Sequence, residues 1–299
     1  MRKILLLMAI FYSAAACAQS YPAKSIRMLL AFPPGGPTDI NARLFALKLS
    51  EQMGQQVVVD NKPGAGGNVG AAEAARAPAD GYTIFYNTSA IAIAPALYSN
   101  IAFDPVRDFA PVALTATVPL VLAINSGLPA KNLQEFVAYA RANPGKLFYA
   151  SSGSGTITHL AAALFAAQMG LQMQHVPYKG SAPALVDVVG GQTQMMIDTI
   201  NTVLPYARDN RLRPLAIAVT RRSPQLPEVP ALEEAANLPG FEMSAWQGVV
   251  VPAATPRDIV ARLNAEVNKA VQVRRFVAVC HACIRLKLDV CRLFHPPLL

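Results

Sequence analysis

The stretch "AFPPGGPTDINARLFALKL", residues 31–49, joins an apolar run to a helix-like segment through a loop with three prolines and two glycines. Residues 25–32 read as a strand, and Thr38 or Asp39 is placed to cap the helix that follows. Leu44, Leu47 and Leu49 are expected near its buried face. Such a turn aims the unpaired N–H groups of a helix start outward, a setting that favours an anion, and glycine admits close approach to the backbone. A nucleotide-type phosphate loop needs Lys and then Ser or Thr after its last glycine, whereas Pro37, Thr38 and Asp39 follow here. The alternative is structural: Asp39 pairs with Arg43 one turn on, and the loop is a capped strand-to-helix connection.

Arg2 and Lys3 precede the apolar run at 4–12 and the small-residue segment "SAAACAQ", the pattern of a secretory signal peptide. Ala16 and Ala18 predict cleavage after residue 18, with lipid anchoring through Cys17 as the alternative. The apolar run is too short for a permanent span. The expected location is therefore the periplasm, where nucleotide and nucleic-acid chemistry has no place.

The mature part, about 280 residues, is long enough for two lobes, and 53% hydrophobic against 15% charged residues supplies material for two cores. The net charge of +8 looks like a nucleic-acid signal until it is located. Two cations lie in the signal segment, and 273–299 carries five cations against Asp289, leaving 19 basic and 17 acidic residues in 19–272. The folded body is nearly neutral, and no nucleic-acid partner is expected.

Strands are expected at 25–32, 56–60, 82–87, 119–125, 147–150, 172–177, 194–198 and 213–219. Helices are expected at 38–50, 69–76, 133–143, 158–169, 182–189 and 256–271. This alternation predicts an α/β fold with a parallel or mixed sheet covered on both faces. The opening device recurs in "KLFYASSGSGTITH", a strand, a small-residue loop and a helix start. In open α/β sheets ligands sit beyond the carboxyl ends of strands, so two such loops can face each other across a cleft. Hydroxyls from Ser151, Ser152, Ser154 and Thr156 suit a small polar anion.

Two enzyme readings weaken on inspection. In "NKPGAGGNVG" the glycines Gly64, Gly66 and Gly70 are one residue out of step with the dinucleotide fingerprint, and the next strand ends at Asn87 rather than an acid that would hold a ribose. "SSGSGT" is not the G-x-S-x-G elbow of a serine hydrolase. No cofactor and no metal are expected, and an exported α/β enzyme or a nucleotide-dependent oxidoreductase is the distant alternative.

The chain resembles the periplasmic solute-binding receptors of tripartite tricarboxylate transporters, called Bug receptors in Bordetella and related bacteria. The resemblance is carried in order by "FPPGGPTD", "NKPGAGGNVGA", "PADGYTI", "SSGSGTITHLAAALF", "VPYKG" and "AWQGVVVPAATP", and extends to about Gln272. It implies a two-lobed periplasmic-binding-protein-like fold with a ligand cleft between lobes: 19–125 plus 220–272 as lobe 1 and 126–219 as lobe 2. It also implies a receptor, not an enzyme, that delivers a small carboxylate to membrane permease subunits. Carried over, Phe32, Pro34, Gly35, Gly36, Thr38 and Asp39 would grip the carboxylate from one side, and Ser152, Ser154, Gly155 and Thr156 from the other. Asn87 and Ser89, just past a strand, would be further first-lobe contacts. Tyr178 and Lys179 of "VPYKG" are placed at the site, where the lysine would offset ligand charge against the alternative of a solvated loop residue. His159, one turn past Thr156, is placed there too, against the commoner packing role. Asp198 ends the strand "MMID" and would hold water or an amino group, or cap the next helix.

After Gln272 the family pattern of an amphipathic stretch and a closing helix is lost, and 273–299 reads as a frameshifted or truncated tail. Cys280, Cys283, Cys291 and His295 have spacing within reach of a Cys3His zinc site. An odd cysteine in an exported chain suits an unselected tail better.

Overall fold

The computed structural model describes residues 21–238 and 240–272. The signal segment with Cys17 and the tail 273–299 with its cysteines lie outside the described residues. The elements are β1 (Ile26–Leu30), α1 (Pro37–Met53), β2 (Val57–Asn61), a 3-10 turn (Ala65–Gly67), α2 (Asn68–Ala75), β3 (Thr83–Thr88), α3 (Ala90–Leu97) and β4 (Phe109–Asn125). There follow α4 (Leu133–Ala142), β5 (Leu147–Ser151), α5 (Ile157–Gln168), β6 (Met173–Pro177), α6 (Ser181–Val189), β7 (Met195–Thr199), α7 (Ile200–Arg208), β8 (Leu212–Ile217), α8 (Leu232–Ala236), β9 (Ser244–Pro252) and α9 (Arg257–Val271).

The fold is α/β and two-lobed. In the first lobe β1 lies parallel between β2 and β3, and β9 runs antiparallel between β3 and β4. In the second, β5 lies parallel between β6 and β7, while β7 and β8 flank β4 in antiparallel fashion. The sheets share β4: Phe109 to Pro119 pair with β9, and Leu120 to Asn125 pair with β7 and β8. The chain thus passes between sheets inside one strand.

Burial explains the elements. β1 is buried along most of its length, as a central parallel strand requires. Helix α1 turns Ala42, Phe45, Ala46 and Leu49 inward, whereas Leu47, expected on that face, is 57% exposed. Phe45 and Leu49 join Leu263 and Val267 of α9 in a core that continues along β4 to Val121 and Ala123 and on to Leu185 and Val188 of α6. A separate core around Phe136 and Phe165 fills the other face of the second sheet. One core cluster thus runs from the first sheet to the second along β4.

Two strand segments were not expected, 109–118 and β9, and three helices, α3, α7 and α8, were also missed. Pro111, Pro119 and Gly248 interrupt the strand pattern, and β4 accommodates the first through register shifts at Pro111/Ala113 and Leu114/Ala116. Pro95 and Pro205 sit inside α3 and α7 and argue locally against helix.

Candidate functional site

A cavity opens between the two sheets where strands end and helices begin. On the first lobe it is lined by Phe32, Pro33, Gly36, Pro37 and Thr38, by Thr88, Ser89 and Ala90, and by Ala245 and Gln247 of β9. On the second lobe the lining is Ser152, Thr156, Ile157 and Thr158, then Gly180 and Ser181, then Asp198 and Thr199. Five helix starts therefore meet here: α1 and α3 from one lobe, α5, α6 and α7 from the other. Their N-cap residues are Gly36, Ser89, Thr156, Gly180 and Thr199, and none caps its helix with a side-chain hydrogen bond. Among the described residues no Lys or Arg lines the cavity. Attraction for an anion therefore falls to backbone dipoles, against the Asp198 carboxyl in the same lining.

The first loop is built to hold α1 in place. Gly36 rather than Thr38 or Asp39 is the N-cap, and Pro37, whose missing N–H costs nothing there, opens the helix. The Asp39 carboxylate accepts from Gly35 N–H at 3.0 Å, from Arg43 Nε at 2.9 Å and from Asn61 Nδ2 at 2.9 Å. Burial pushes its pKa up, but Arg43, the Gly35 amide and Asn61 outweigh burial and hold it below the usual value. Asp39 is thus the pin of the loop, paired with Arg43 as its spacing suggested, while Thr38 lines the cavity.

The serine loop is organised by hydroxyls. Thr156 Oγ1 donates to Gly153 O at 2.7 Å, and Thr158 Oγ1 accepts from Ser152 N–H at 2.9 Å. Ser152 Oγ lies within 3.1 Å of Thr156 Oγ1 and 2.9 Å of Thr158 Oγ1. Beneath this loop the His159 and His175 rings stack with centroids 4.0 Å apart, and Tyr149 continues the stack. Gly155 N–H donates to His159 Nδ1 at 3.2 Å, and Ser151 Oγ lies 2.6 Å from His175 Nε2. Burial lowers the His159 pKa, and burial together with His159 takes His175 down to about 4.

At the floor, Asp198 is 1% exposed. Its Oδ1 accepts from Thr199 N–H at 2.6 Å, while Oδ2 has no hydrogen-bond partner among the described residues. Burial raises its carboxyl to about 6 against the opposing pull of Ser181, the Thr199 amide and the neighbouring threonine hydroxyls. On the opposite wall Gln247 Oε1 accepts from Asn41 Nδ2 at 3.1 Å and from Tyr86 Oη at 2.9 Å, which fixes its amide at the cavity edge.

Of the residues anticipated from sequence, Phe32, Gly36, Thr38, Ser89, Ser152, Thr156 and Asp198 line this cavity. The others sit beside it. Pro34 and Gly35 are exposed on the first loop, and Asn87 is buried against Gly248 with its Oδ1 unpaired. Ser154 and Gly155 meet Tyr98 of the first lobe. His159 faces the ring stack instead of the cavity, because Tyr149 and His175 offer it an apolar sandwich. Tyr178 Oη donates to Asp187 Oδ2 at 2.6 Å, and burial, helped by Asp187, pushes its pKa up to about 12. Lys179 is exposed outside the lining, next to Gly180, which is in it. Gly180, Ser181, Thr199 and Gln247 were not anticipated as site residues. "GS", just past β6, and "DT", at the end of β7, carry the same signal as the two loops: a small or hydroxylated residue at a strand-to-helix junction.

A family profile described as tripartite tricarboxylate transporter family receptor matches residues 41–283, past the Gln272 limit set by the motifs. Protein BugT of Bordetella pertussis is 37% identical over 284 residues, spanning 93% of this chain and 87% of that protein. Among solved structures, MatC from Rhodopseudomonas palustris with bound malate superposes with a TM-score of 0.82 at 34% identity, covering 87% of this chain and 88% of that one. Another R. palustris protein, Rpa4515 with adipate, gives a TM-score of 0.81 at 38% identity and covers 83% of each chain.

Proposed function

The chain belongs to the tripartite tricarboxylate transporter receptor family, and from that premise we propose that it captures one small carboxylate outside the cytoplasmic membrane and passes it to the membrane subunits of its transporter. One observation carries the reading: five uncapped helix starts from both lobes converge on a cavity that no Lys or Arg among the described residues lines. Each such helix end favours an anion by about 0.3–1 kcal/mol, and more when partly buried. Together they offset carboxylate desolvation without a fixed cation, and an anion held only by dipoles and neutral donors can leave again. The similar proteins solved with malate and with adipate hold diacids, which is consistent with a grip on one carboxylate.

The rival, an exported hydrolase, would use the one serine–histidine contact beside the cavity, Ser151 with His175. Ser151 is fully buried, it is not part of the lining, and His175 stacks on rings rather than against a carboxylate. The chain therefore acts as a receptor that returns its ligand unchanged. Among the described residues no helix is long and apolar enough to cross a membrane; in this reading the membrane subunits are separate partners.

Calorimetry with a panel of small carboxylic acids and their neutral amides tests this reading. At least one acid is expected to bind and its amide to bind far more weakly. Equal affinity for acid and amide, or binding of no acid at all, contradicts it.

A further inference from the structure

Asp198 stands out among the polar groups of the cavity because it is wholly buried and half unpaired. Its Oδ1 is held by the Thr199 amide, but Oδ2 meets no donor. Ser181 pulls on the carboxyl, yet no described group meets Oδ2 in hydrogen-bond geometry, and the threonine hydroxyls are committed elsewhere. Thr202 donates its proton to Thr199 O at 2.6 Å, and the 3.0 Å contact between the two hydroxyls then uses the Thr199 proton. Across the cavity Ser89 Oγ is likewise buried without a partner. A buried acceptor left unpaired costs about 1–3 kcal/mol, more for a charged group, so a donor in the cavity, on a ligand or a water, stabilises this arrangement.

We propose that Asp198 and Ser89 form a second subsite that takes a hydrogen-bond donor on the ligand's carbon chain, so that the preferred ligand is a hydroxy- or amino-substituted carboxylate rather than a plain acid. This rests on the carboxylate reading of the same cavity. Carboxylate and donor call for opposite surroundings, and the cavity provides both: uncapped helix starts for the first, a carboxyl oxygen for the second. An ammonium or hydroxyl satisfies Asp198 Oδ2, while a bare methylene leaves it unpaired. Because Ser89 and Asp198 belong to different lobes, both are satisfied only when the lobes close around the ligand.

The test is calorimetry at pH 7.5 with two matched series: succinate, malate and aspartate, then glutarate, 2-hydroxyglutarate and glutamate. In a series that binds, the hydroxy or amino member is expected to bind at least about tenfold more tightly than the plain diacid. Asp198→Asn is expected to bring that ratio near one, with folding checked by the melting temperature without ligand. If this variant does not fold, Asp198→Ser replaces it. A plain diacid that binds as tightly as its substituted partners overturns the proposal and leaves the carboxylate reading standing, as does a ratio that survives in a folded variant. Binding of none of the six acids, where another acid of the carboxylate panel binds, overturns the proposal alone; binding of no acid in either experiment overturns both.

Discussion

The Tyr98 hydroxyl, at the end of α3, donates to the Ser154 carbonyl of the opposite lobe at 2.8 Å. The same junction brings Gly66 so near that a Cβ there would lie 2.5 Å from Ser154 O and 3.0 Å from Tyr98 Oη. Gly180 meets Pro33 in the same way, a Cβ at Gly180 falling 2.9 Å from Pro33 Cγ. The loops of the two lobes are thus in contact around the cavity, as in a closed receptor, and a ligand that binds this form better than an open one shifts the population toward it.

Tyr98→Phe removes one interlobe hydrogen bond and nothing from either core. Such a bond is worth about 0.5–1.5 kcal/mol, so affinity for the bound acid should fall roughly two- to tenfold. The melting temperature without ligand should barely change, which calorimetry and thermal unfolding together would establish. Unchanged affinity would mean that the contact plays no part in closure.

Gly66→Ala is the stronger perturbation. The residue has φ +66° and its new methyl would press on Ser154 O, so the closed form is opposed by both strain and contact. X-ray scattering should show wild-type protein compacting when the acid is added and the variant staying extended, with affinity at least about tenfold weaker. Equal compaction in both would count against closure through this junction.

Thr38→Leu and Thr156→Leu each place an apolar side chain at a helix start that lines the cavity. Both should abolish measurable binding. Thr156→Leu should also lower stability by about 1 kcal/mol, since its hydroxyl bond to Gly153 O is lost. If both variants bind with wild-type affinity, the carboxylate is not held between these loops.

Acid should weaken the fold through the ring stack. The folded-state pKa of His175 is about 4, below its ordinary 6.5, so the unfolded chain binds more protons between those values. The histidine contribution is fully present above pH 6.5 and is lost as pH falls toward 4. Asp198 acts in the opposite sense: its raised pKa of about 6 gives stability present below its ordinary value and lost as pH rises through 6. Melting curves of His175→Gln and Asp198→Asn separate the two. The fall in melting temperature below pH 6.5 should be shallower in the first and steeper in the second; identical profiles in all three proteins would refute the assignment.

Much of the architecture is readable locally. β1, α1 and the β5–α5 unit appear within a few residues of their expected bounds, because apolar runs and proline–glycine loops mark them. The strand β4 was legible only in its second half, since a proline within a bulge looks like an interruption until its partner β9 is known. The site was legible as two loops and not as five helix ends. Which helix starts converge depends on strand order, and neither Ser181 nor Thr199 differs locally from an ordinary helix start. His159 shows the converse: helical spacing put it one turn from Thr156, but only the position of β6 shows that His175 claims its ring. The Gly66 contact with Ser154 is likewise invisible in sequence, because it forms between lobes.

A crystal structure of the protein with a tightly binding acid tests the central claim most directly. One carboxylate should lie among the starts of α1, α5 and α6, its oxygens within hydrogen-bond distance of main-chain N–H groups, with no lysine or arginine in contact. The contradicting result is an acid bound elsewhere, as in the outer groove of the second lobe that Arg208, Arg213 and Arg222 line, leaving the cavity between the lobes to water.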